Sequence, residues 1–274
     1  MEIQVHDTAF MIAYYRAKHQ NVSKDPYAQL WLRPGLEKWT DGFARQVSPH
    51  DEMLHCLRNR FFYDQLEFSL KDNRKTLLLN LGAGFSMYQY ALDADMPTIE
   101  VDFDAIINYK QNNIRSFTKE HKLPQRRVHY ASADITSEAG QSVIERLLSA
   151  YEGYRKIILI EGVFFFLTRS QIEKVTDLSR RILSKGDLLM CVSFEEKQKT
   201  SPVYHRLINY FEKVLQTKNR DYTALPHRFY TSLQGFRLLQ QDCNLNMGVE
   251  MGLLPPNLTS EECLNEHFYV LERQ

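Results

Sequence analysis

A short apolar run, Thr76 to Leu81 (TLLLNL), leads directly into Gly82-Ala83-Gly84, and a second run, Thr98 to Asp102 (TIEVD), closes on an acid 18 residues after Gly84. A buried strand that ends on a glycine turn and is followed, one helix later, by a strand ending on a carboxylate commits the chain to an open α/β sheet. In such sheets ligands collect beyond the carboxyl ends of the strands, where the first tight turn lets the backbone come close to them. The same texture continues through Val128 to Ala131, Ile157 to Ile160 and Leu188 to Phe194. Amphipathic stretches lie between these runs, at Phe103 to Glu120, Ser137 to Tyr151 and Thr168 to Ser184. Near-continuous apolar strands alternating with helices indicate a parallel sheet covered on both faces. Two more candidate strands, Gly235 to Gln240 and His267 to Leu271, bring the count to seven. The expected fold class is therefore α/β, a seven-stranded, mostly parallel sheet with helices on both faces.

From Asp7 to about Arg74 the pattern is helical. Asp25 before Pro26, and Ser48-Pro49 with Asp51, read as helix starts, and Leu54, Leu57, Phe61, Phe62 and Leu66 recur near a helical period. A helical insertion, about Pro202 to Thr217, precedes the last two strands. No Gly/Ser/Pro linker, internal repeat or low-complexity tract divides the chain, so a single domain is expected: a helical extension over 1–74, a core over 75–194, an insertion over 195–228 and C-terminal strands over 229–274. Lys plus Arg and Asp plus Glu stand at 34 each, which leaves no overall field to draw the protein to nucleic acid or to an anionic membrane. Cys56, Cys191, Cys243 and Cys263 form no CxxC, and the nine histidines show no metal-like spacing. No metal site is expected, and scattered cysteines with no signal peptide or apolar span point to the cytoplasm.

The strand-end acids and glycines carry the chemistry. Asp102 is placed to accept hydrogen bonds from ribose hydroxyls, with Glu100 as its neighbour. A dinucleotide fingerprint, GxGxxG, needs a third glycine to pack helix on strand beside the pyrophosphate, and that position is Met87. S-adenosylmethionine has no phosphate and needs only close backbone approach, so Gly82, Ala83 and Gly84 suit it better. Ala133-Asp134-Ile135 follows the third strand, where a carboxylate can accept from the adenine amine while Ile135 packs on the ring. Glu161-Gly162 ends the fourth strand, beside the place where a reactive methyl would project.

Taken together, these segments resemble the leucine carboxyl methyltransferases and their bacterial O-methyltransferase relatives. Asn80-Leu81-Gly82-Ala83-Gly84 is similar to that family's NLGAG, Glu100-Val101-Asp102-Phe103 to its EVDF, and Glu161-Gly162-Val163 through Leu167-Thr168 to its EGV...LT segment. Upstream, Asp25-Pro26-Tyr27-Ala28 and Arg58-Asn59-Arg60-Phe61-Phe62 resemble its DP(Y/L)A and RTRFF blocks, in the family's order. The resemblance implies a class I methyltransferase-like (Rossmann-like) fold and S-adenosylmethionine as cofactor. It further implies that Arg58 grips the methionine carboxylate, with Arg16 as a second cation. Gly82 would meet the cofactor by its backbone, Asp102 would hold the ribose, Asp134 and Ile135 would frame the adenine, and Glu161 would lie near the amino group. The chain departs from the family at Ser86, near Tyr90 and at Phe166, positions around the methyl group and its acceptor.

Methyl transfer from a sulfonium is an in-line displacement, so the protein chiefly aligns the reactants and excludes water. A carboxylate, with a pKa of about 3.5, is ionised at neutral pH and needs no base. His50 and His55, at i and i+5, do not share a helix face well, so no catalytic residue is assigned. Tyr204, His205 and Arg206 on the insertion are weak candidates, and His205, His227 and His267 stand as hidden bases. The insertion, roughly Glu195 to Arg228 with Tyr210 and Tyr222, is expected to roof the acceptor. Phe164, Phe165 and Phe166 are expected in the core and pocket wall. The expected activity is methyl transfer to a carboxylate, of a small molecule or of a protein C-terminus. A degenerate sensor or scaffold that keeps the cofactor pocket and, disfavoured by Met87, an NAD-dependent dehydrogenase are the alternatives.

Overall fold

The expected strands join one sheet because each has two faces to bury. In the computed structural model, which describes residues 8–72, 74–214 and 222–274, the strands are β1 (Thr76–Leu81), β2 (Thr98–Asp102), β3 (Val128–Ser132), β4 (Arg155–Ile160), β5 (Leu188–Phe194), β6 (Phe236–Cys243) and β7 (Glu266–Arg273). Their order across the sheet is β3-β2-β1-β4-β5-β7-β6. The first five are parallel, and β7 runs antiparallel to both β5 and β6. Side chains alternate between the faces with period two. Leu77, Leu79 and Leu81 join Ile158 and Ile160 on one face, under α7 (Glu138–Leu148) and α8 (Arg169–Ile182). Leu78, Ile157, Leu159 and Met190 point to the other, against Phe61, Phe62 and Leu66.

These three aromatic and apolar residues lie on α4 (Asp51–Ser69), the longest helix of an N-terminal extension that also contains α1 (Thr8–Lys18), α2 (Gln20–Ser23) and α3 (Leu36–Gln46). Asp25-Pro26 opens a turn and a 3-10 helix, Ala28–Trp31, rather than the α-helix its sequence suggests. The Asp25 carboxylate accepts from the Tyr27 N–H at 3.2 Å, and its carbonyl from the Ala28 N–H, which tightens the chain below α-helical pitch. Ser48 likewise closes a turn on the His50 N–H, and α4 starts at Asp51. Asp7, where the helical pattern begins, lies outside the described residues.

Between the strands run α5 (Tyr88–Ala91) and α6 (Asp104–Lys119), with α7 and α8 following β3 and β4. Helix α8 begins on a capping box formed by Thr168 and Gln171. After β5 come α9 (Pro202–Val214) and α10 (His227–Thr231), and the expected helix end at Thr217 lies outside the described residues. The C-terminal region is not strands alone. Helix α11 (Asn244–Glu250) is inserted between β6 and β7, and its seven residues are too few to show a period in sequence. Gly248 lets it dock on α4, since a Cβ there would lie 2.3 Å from Leu254 Cδ1 and 3.0 Å from Leu57 Cδ1. Among the described residues no helix is long and apolar enough to cross a membrane.

Candidate functional site

Parallel pairing of β1, β2, β3 and β4 brings their carboxyl ends to one edge of the sheet. The turn after β1 is tied to β2: the Gly82 and Ala83 N–H groups both donate to the Val101 carbonyl, at 2.8 and 3.1 Å. Asp102 secures it from the same side, accepting from the Gly84 N–H at 2.8 Å and from the Phe103 N–H at 2.7 Å. Gly82 has φ +73°, and a Cβ there would lie 2.3 Å from Val163 Cγ2. Only glycine fits that close approach without strain. Below the turn, Asn80 donates to Ser86 Oγ at 2.7 Å, and Ser86 Oγ to the Ala83 carbonyl at 2.9 Å. The Ser86 carbonyl accepts from Lys110 Nζ, which reaches Glu100 at 2.7 Å with both side chains fully buried. Burial pushes the Glu100 carboxyl up and the Lys110 ammonium down, and their contact opposes both shifts. Glu100, named in the sequence only as Asp102's neighbour, is therefore a strut beneath the loop. Met87, at the place of the third fingerprint glycine, is a buried core residue.

At the end of β3, the Ala133 N–H donates to the Asp102 carbonyl at 3.0 Å. Asp134 Oδ1 accepts from the Thr136 N–H and hydroxyl, each at 2.8 Å. A Cβ at Gly140 would sit 2.0 Å from the Asp134 carbonyl oxygen, so that glycine lets α7 close on the turn. Ile135 is buried beside it.

At the end of β4, Glu161 meets two helices, α4 and α5. Arg58 of α4 donates from Nε to Glu161 at 2.9 Å and from Nη1 to both oxygens of Glu266 on β7, at 2.9 and 2.8 Å. The Tyr88 hydroxyl donates to the other Glu161 oxygen at 2.7 Å. Burial raises the Glu161 carboxyl, but Arg58, Arg16 and the Tyr88 bond outweigh it and hold it below its ordinary value. Arg58 Nη2 makes no hydrogen bond among the described residues. A Cβ at Gly162 would stand 3.5 Å from it, so Gly162 leaves room at that corner of the fork. Arg16 of α1 is also buried, bonded to Asn59 and to the Phe85 carbonyl at 3.2 and 2.8 Å, with Asp25 at 3.4 Å.

All of these strand-end positions open on one cavity of about 560 Å³, lined by Arg16, Arg58, Gly82, Ala83, Gly84, Asp102, Asp134, Ile135 and Glu161 among others. The volume lies within the roughly 300–1,000 Å³ common for small-molecule sites. The nine residues expected at the cofactor thus share one enclosure, and their donor set fits S-adenosylmethionine. A free guanidinium corner suits a carboxylate, Glu161 suits an ammonium, Asp102 suits a diol, and Ile135 with Asp134 suits an aminopurine.

Elsewhere the lining includes an apolar stretch, with Met11, Phe43, Phe165, Phe194, Leu207 and Phe211 drawn from one core cluster. Phe165 and Phe166 are cavity wall and Phe164 is core, as expected from the sequence. Helix α9 contributes Leu207 and Phe211, but Tyr204, His205 and Arg206 do not line the cavity. Tyr204 is buried with its hydroxyl donating to the Tyr222 carbonyl at 3.3 Å, His205 is exposed, and Arg206 donates to the Val47 carbonyl at 2.8 Å. Their turn of α9 packs away from the cavity, which helical periodicity alone could not orient. His227 and His267 are off the cavity as well. The histidine on its wall is His55, whose Nε2 stands 3.1 Å from Asp51 Oδ2, and Asp51 also lines it. Sequence reading compared His55 with His50 and missed the i, i+4 partner. It also missed Glu266 and Tyr88, for which no local pattern exists. Among the described residues no group of three or more His, Cys, Asp or Glu could hold a metal ion.

The sequence model of the leucine carboxyl methyltransferase family matches residues 8–179, well over half of the chain. No match was found among curated proteins. A candidate methyltransferase from Thermobifida fusca YX superposes with a TM-score of 0.64 at 14% identity, covering 92% of this chain and 94% of its own. A DUF574-family protein from Streptomyces avermitilis MA-4680 gives 0.59 at 12% identity, with 95% and 100% covered. The magnesium protoporphyrin IX methyltransferase of Synechocystis PCC 6803, solved with S-adenosylhomocysteine bound, gives 0.52 at 9% identity, with 88% and 94% covered. At these identities the likeness is one of fold.

Proposed function

The chain belongs to the leucine carboxyl methyltransferase family, an S-adenosylmethionine-dependent group, and on that premise we propose that this methyltransferase delivers its methyl group to an oxygen of a small, largely apolar acceptor. The observation that carries the reading is the division of a single cavity. Its strand-end half presents Arg58, Glu161, Asp102 and Asp134, and its other half presents the Met11, Phe43, Phe165, Phe194, Leu207 and Phe211 surface.

S-adenosylmethionine, when bound, supplies an electrophilic methyl on a sulfonium. The protein's part is to hold and exclude. Arg58 Nη2 and Arg16 would take the methionine carboxylate, Glu161 the ammonium, Asp102 the ribose and Asp134 with Ile135 the adenine. The aromatic wall keeps water from the methyl and orients the acceptor, which is where an in-line displacement gains most.

The family's description supports a carboxylate acceptor, on a small molecule or a protein C-terminus, and such an acceptor is ionised above a pKa of about 3.5. A second reading, a hydroxyl acceptor, is favoured by one observation: the cavity wall carries His55, whose Nε2 stands 3.1 Å from Asp51 Oδ2. Calorimetric titration with S-adenosylhomocysteine, with NAD as control, tests the premise. Micromolar binding of the first and none of the second is expected. Transfer of a labelled methyl to oxygen acceptors then tests the reading, and a bound cofactor with no transfer to any of them would reduce the chain to a sensor or scaffold.

A further inference from the structure

One carboxylate at this edge of the sheet has no counterpart group in S-adenosylmethionine. Under the proposed binding mode Asp102, Asp134 and Glu161 each answer a cofactor group, and Glu266 answers none, although it lines the same cavity with its side chain only 10% exposed. Glu266 opens β7 and pairs in register with Phe194 at the end of β5. Phe194 belongs to the apolar wall, and β5 lies between β7 and β4, whose end carries Glu161. From there Glu266 accepts from Arg58 Nη1 through both oxygens, at 2.9 and 2.8 Å. It therefore touches the methionine end while standing beside the apolar wall.

We propose that Glu266 is a specificity-determining residue, a fixed negative charge that makes this pocket prefer the sulfonium form of the cofactor to its neutral thioether product. The inference rests on the methyltransferase reading and deepens it at the cofactor end. Arg58 brings one positive charge and stands between two carboxylates, Glu161 and Glu266, with all three side chains buried. Both Glu266 oxygens accept, which is the bonding of an ionised carboxylate. Burial acts against the Arg58 guanidinium, but Glu266 and Glu161 outweigh it and hold the group above its ordinary value. One negative charge is in excess at this corner. Arg16 does not cancel it, because buried Asp25 stands 3.4 Å from its Nε.

S-adenosylmethionine carries a carboxylate, an ammonium and a sulfonium, one net positive charge, and would close the corner at neutrality. Its sulfonium joins the amino-acid end to the nucleoside and aims the methyl at the acceptor, so it would lie where the Arg58 corner meets the apolar wall. Glu266 spans that interval. On transfer the acceptor oxygen bonds to the methyl carbon, the carbon–sulfur pair stays on sulfur, and S-adenosylhomocysteine is left with no net charge. The product then leaves the excess negative charge buried and uncompensated, which is costly away from water. The pocket thereby holds its substrate cofactor in preference to its product and resists product inhibition.

Calorimetric titration of the full chain, without acceptor, tests this with S-adenosylmethionine, S-adenosylhomocysteine and sinefungin, which carries an ammonium in place of the methylsulfonium. Wild type should bind both charged ligands about tenfold or more tighter than S-adenosylhomocysteine, the size expected for one unit charge in a partly screened site. Glu266→Gln keeps the shape of the side chain and removes its charge, and should bring that ratio to within about threefold by weakening the charged ligands. Glu266→Asp keeps the charge and should keep the preference. Equal affinity of wild type for S-adenosylmethionine and S-adenosylhomocysteine would overturn the proposal without any variant. So would a ratio unchanged in Glu266→Gln, including one in which all three ligands weaken alike through a structural loss. Binding of none of the three to wild type would overturn it together with the methyltransferase reading beneath it.

Discussion

The two halves of the cavity are built on different principles. In the strand-end half the acids are tied down: Asp102 by two backbone N–H groups, Asp134 by Thr136, and Glu161 by Arg58 and Tyr88. Its parts come from four strand ends that the sheet itself aligns. In the other half, α1, α3, β5, α9 and the 3-10 turn at Phe164–Phe166 each contribute apolar side chains. The first half is specified by hydrogen bonds of fixed direction. The second is specified by shape, which tolerates substitution and lets one fold serve different acceptors.

Substitutions should separate the halves. The largest effect is expected from Arg58→Ala, which leaves Glu161 and Glu266 facing one another without their cation. Loss of about 3–5 kcal/mol of stability by urea denaturation, together with loss of S-adenosylhomocysteine binding by calorimetry, is expected. Wild-type stability would mean that the cluster is not a buried ion network. The same network gives a pH signature. Because the Glu161 carboxyl is held below its ordinary value in the folded state, its stabilising contribution is present above the unfolded carboxyl's pKa of about 4.3 and is lost as pH falls below it. Glu161→Gln should flatten that acid limb of the stability profile.

Asp102→Asn should cost about 1.5–3 kcal/mol of cofactor affinity, tenfold or more by calorimetry, because a charged acceptor becomes neutral while the Gly84 tether keeps a carbonyl. Gly82→Ala should destabilise by roughly 1–2 kcal/mol for its left-handed backbone alone, visible as a lowered urea midpoint. Phe211→Leu is expected to do least. Stability should fall by less than about 1.5 kcal/mol and cofactor affinity should hold within twofold, while the KM for the acceptor changes. A cofactor-affinity loss in Phe211→Leu as large as in Asp102→Asn would erase the distinction between the halves.

Legibility in the sequence follows the same division. The strands were readable because a buried parallel strand is a continuous apolar run, and their ends because Gly82-Ala83-Gly84, Asp102, Asp134-Ile135 and Glu161 follow those runs directly. Helix starts were less readable. Asp25 and Ser48 have the side chains of N-caps but close tight turns, since the same oxygen serves either end. Glu100, read only as Asp102's neighbour, was placed by the sheet beneath the loop against Lys110. The insertion's Tyr204, His205 and Arg206 were the wrong turn of the right helix.

What the sequence determined by itself was the sheet, the glycine turn and the row of acids at its edge, because each depends on neighbours within a few residues or on a period of two. Only the tertiary structure decided that Arg58 meets Glu266 across 208 residues of chain, that Lys110 is buried, and that His55 and Asp51 line the cavity. Whether a charged side chain is solvated, paired or poised depends on which helices pack against it, and no local pattern carries that information.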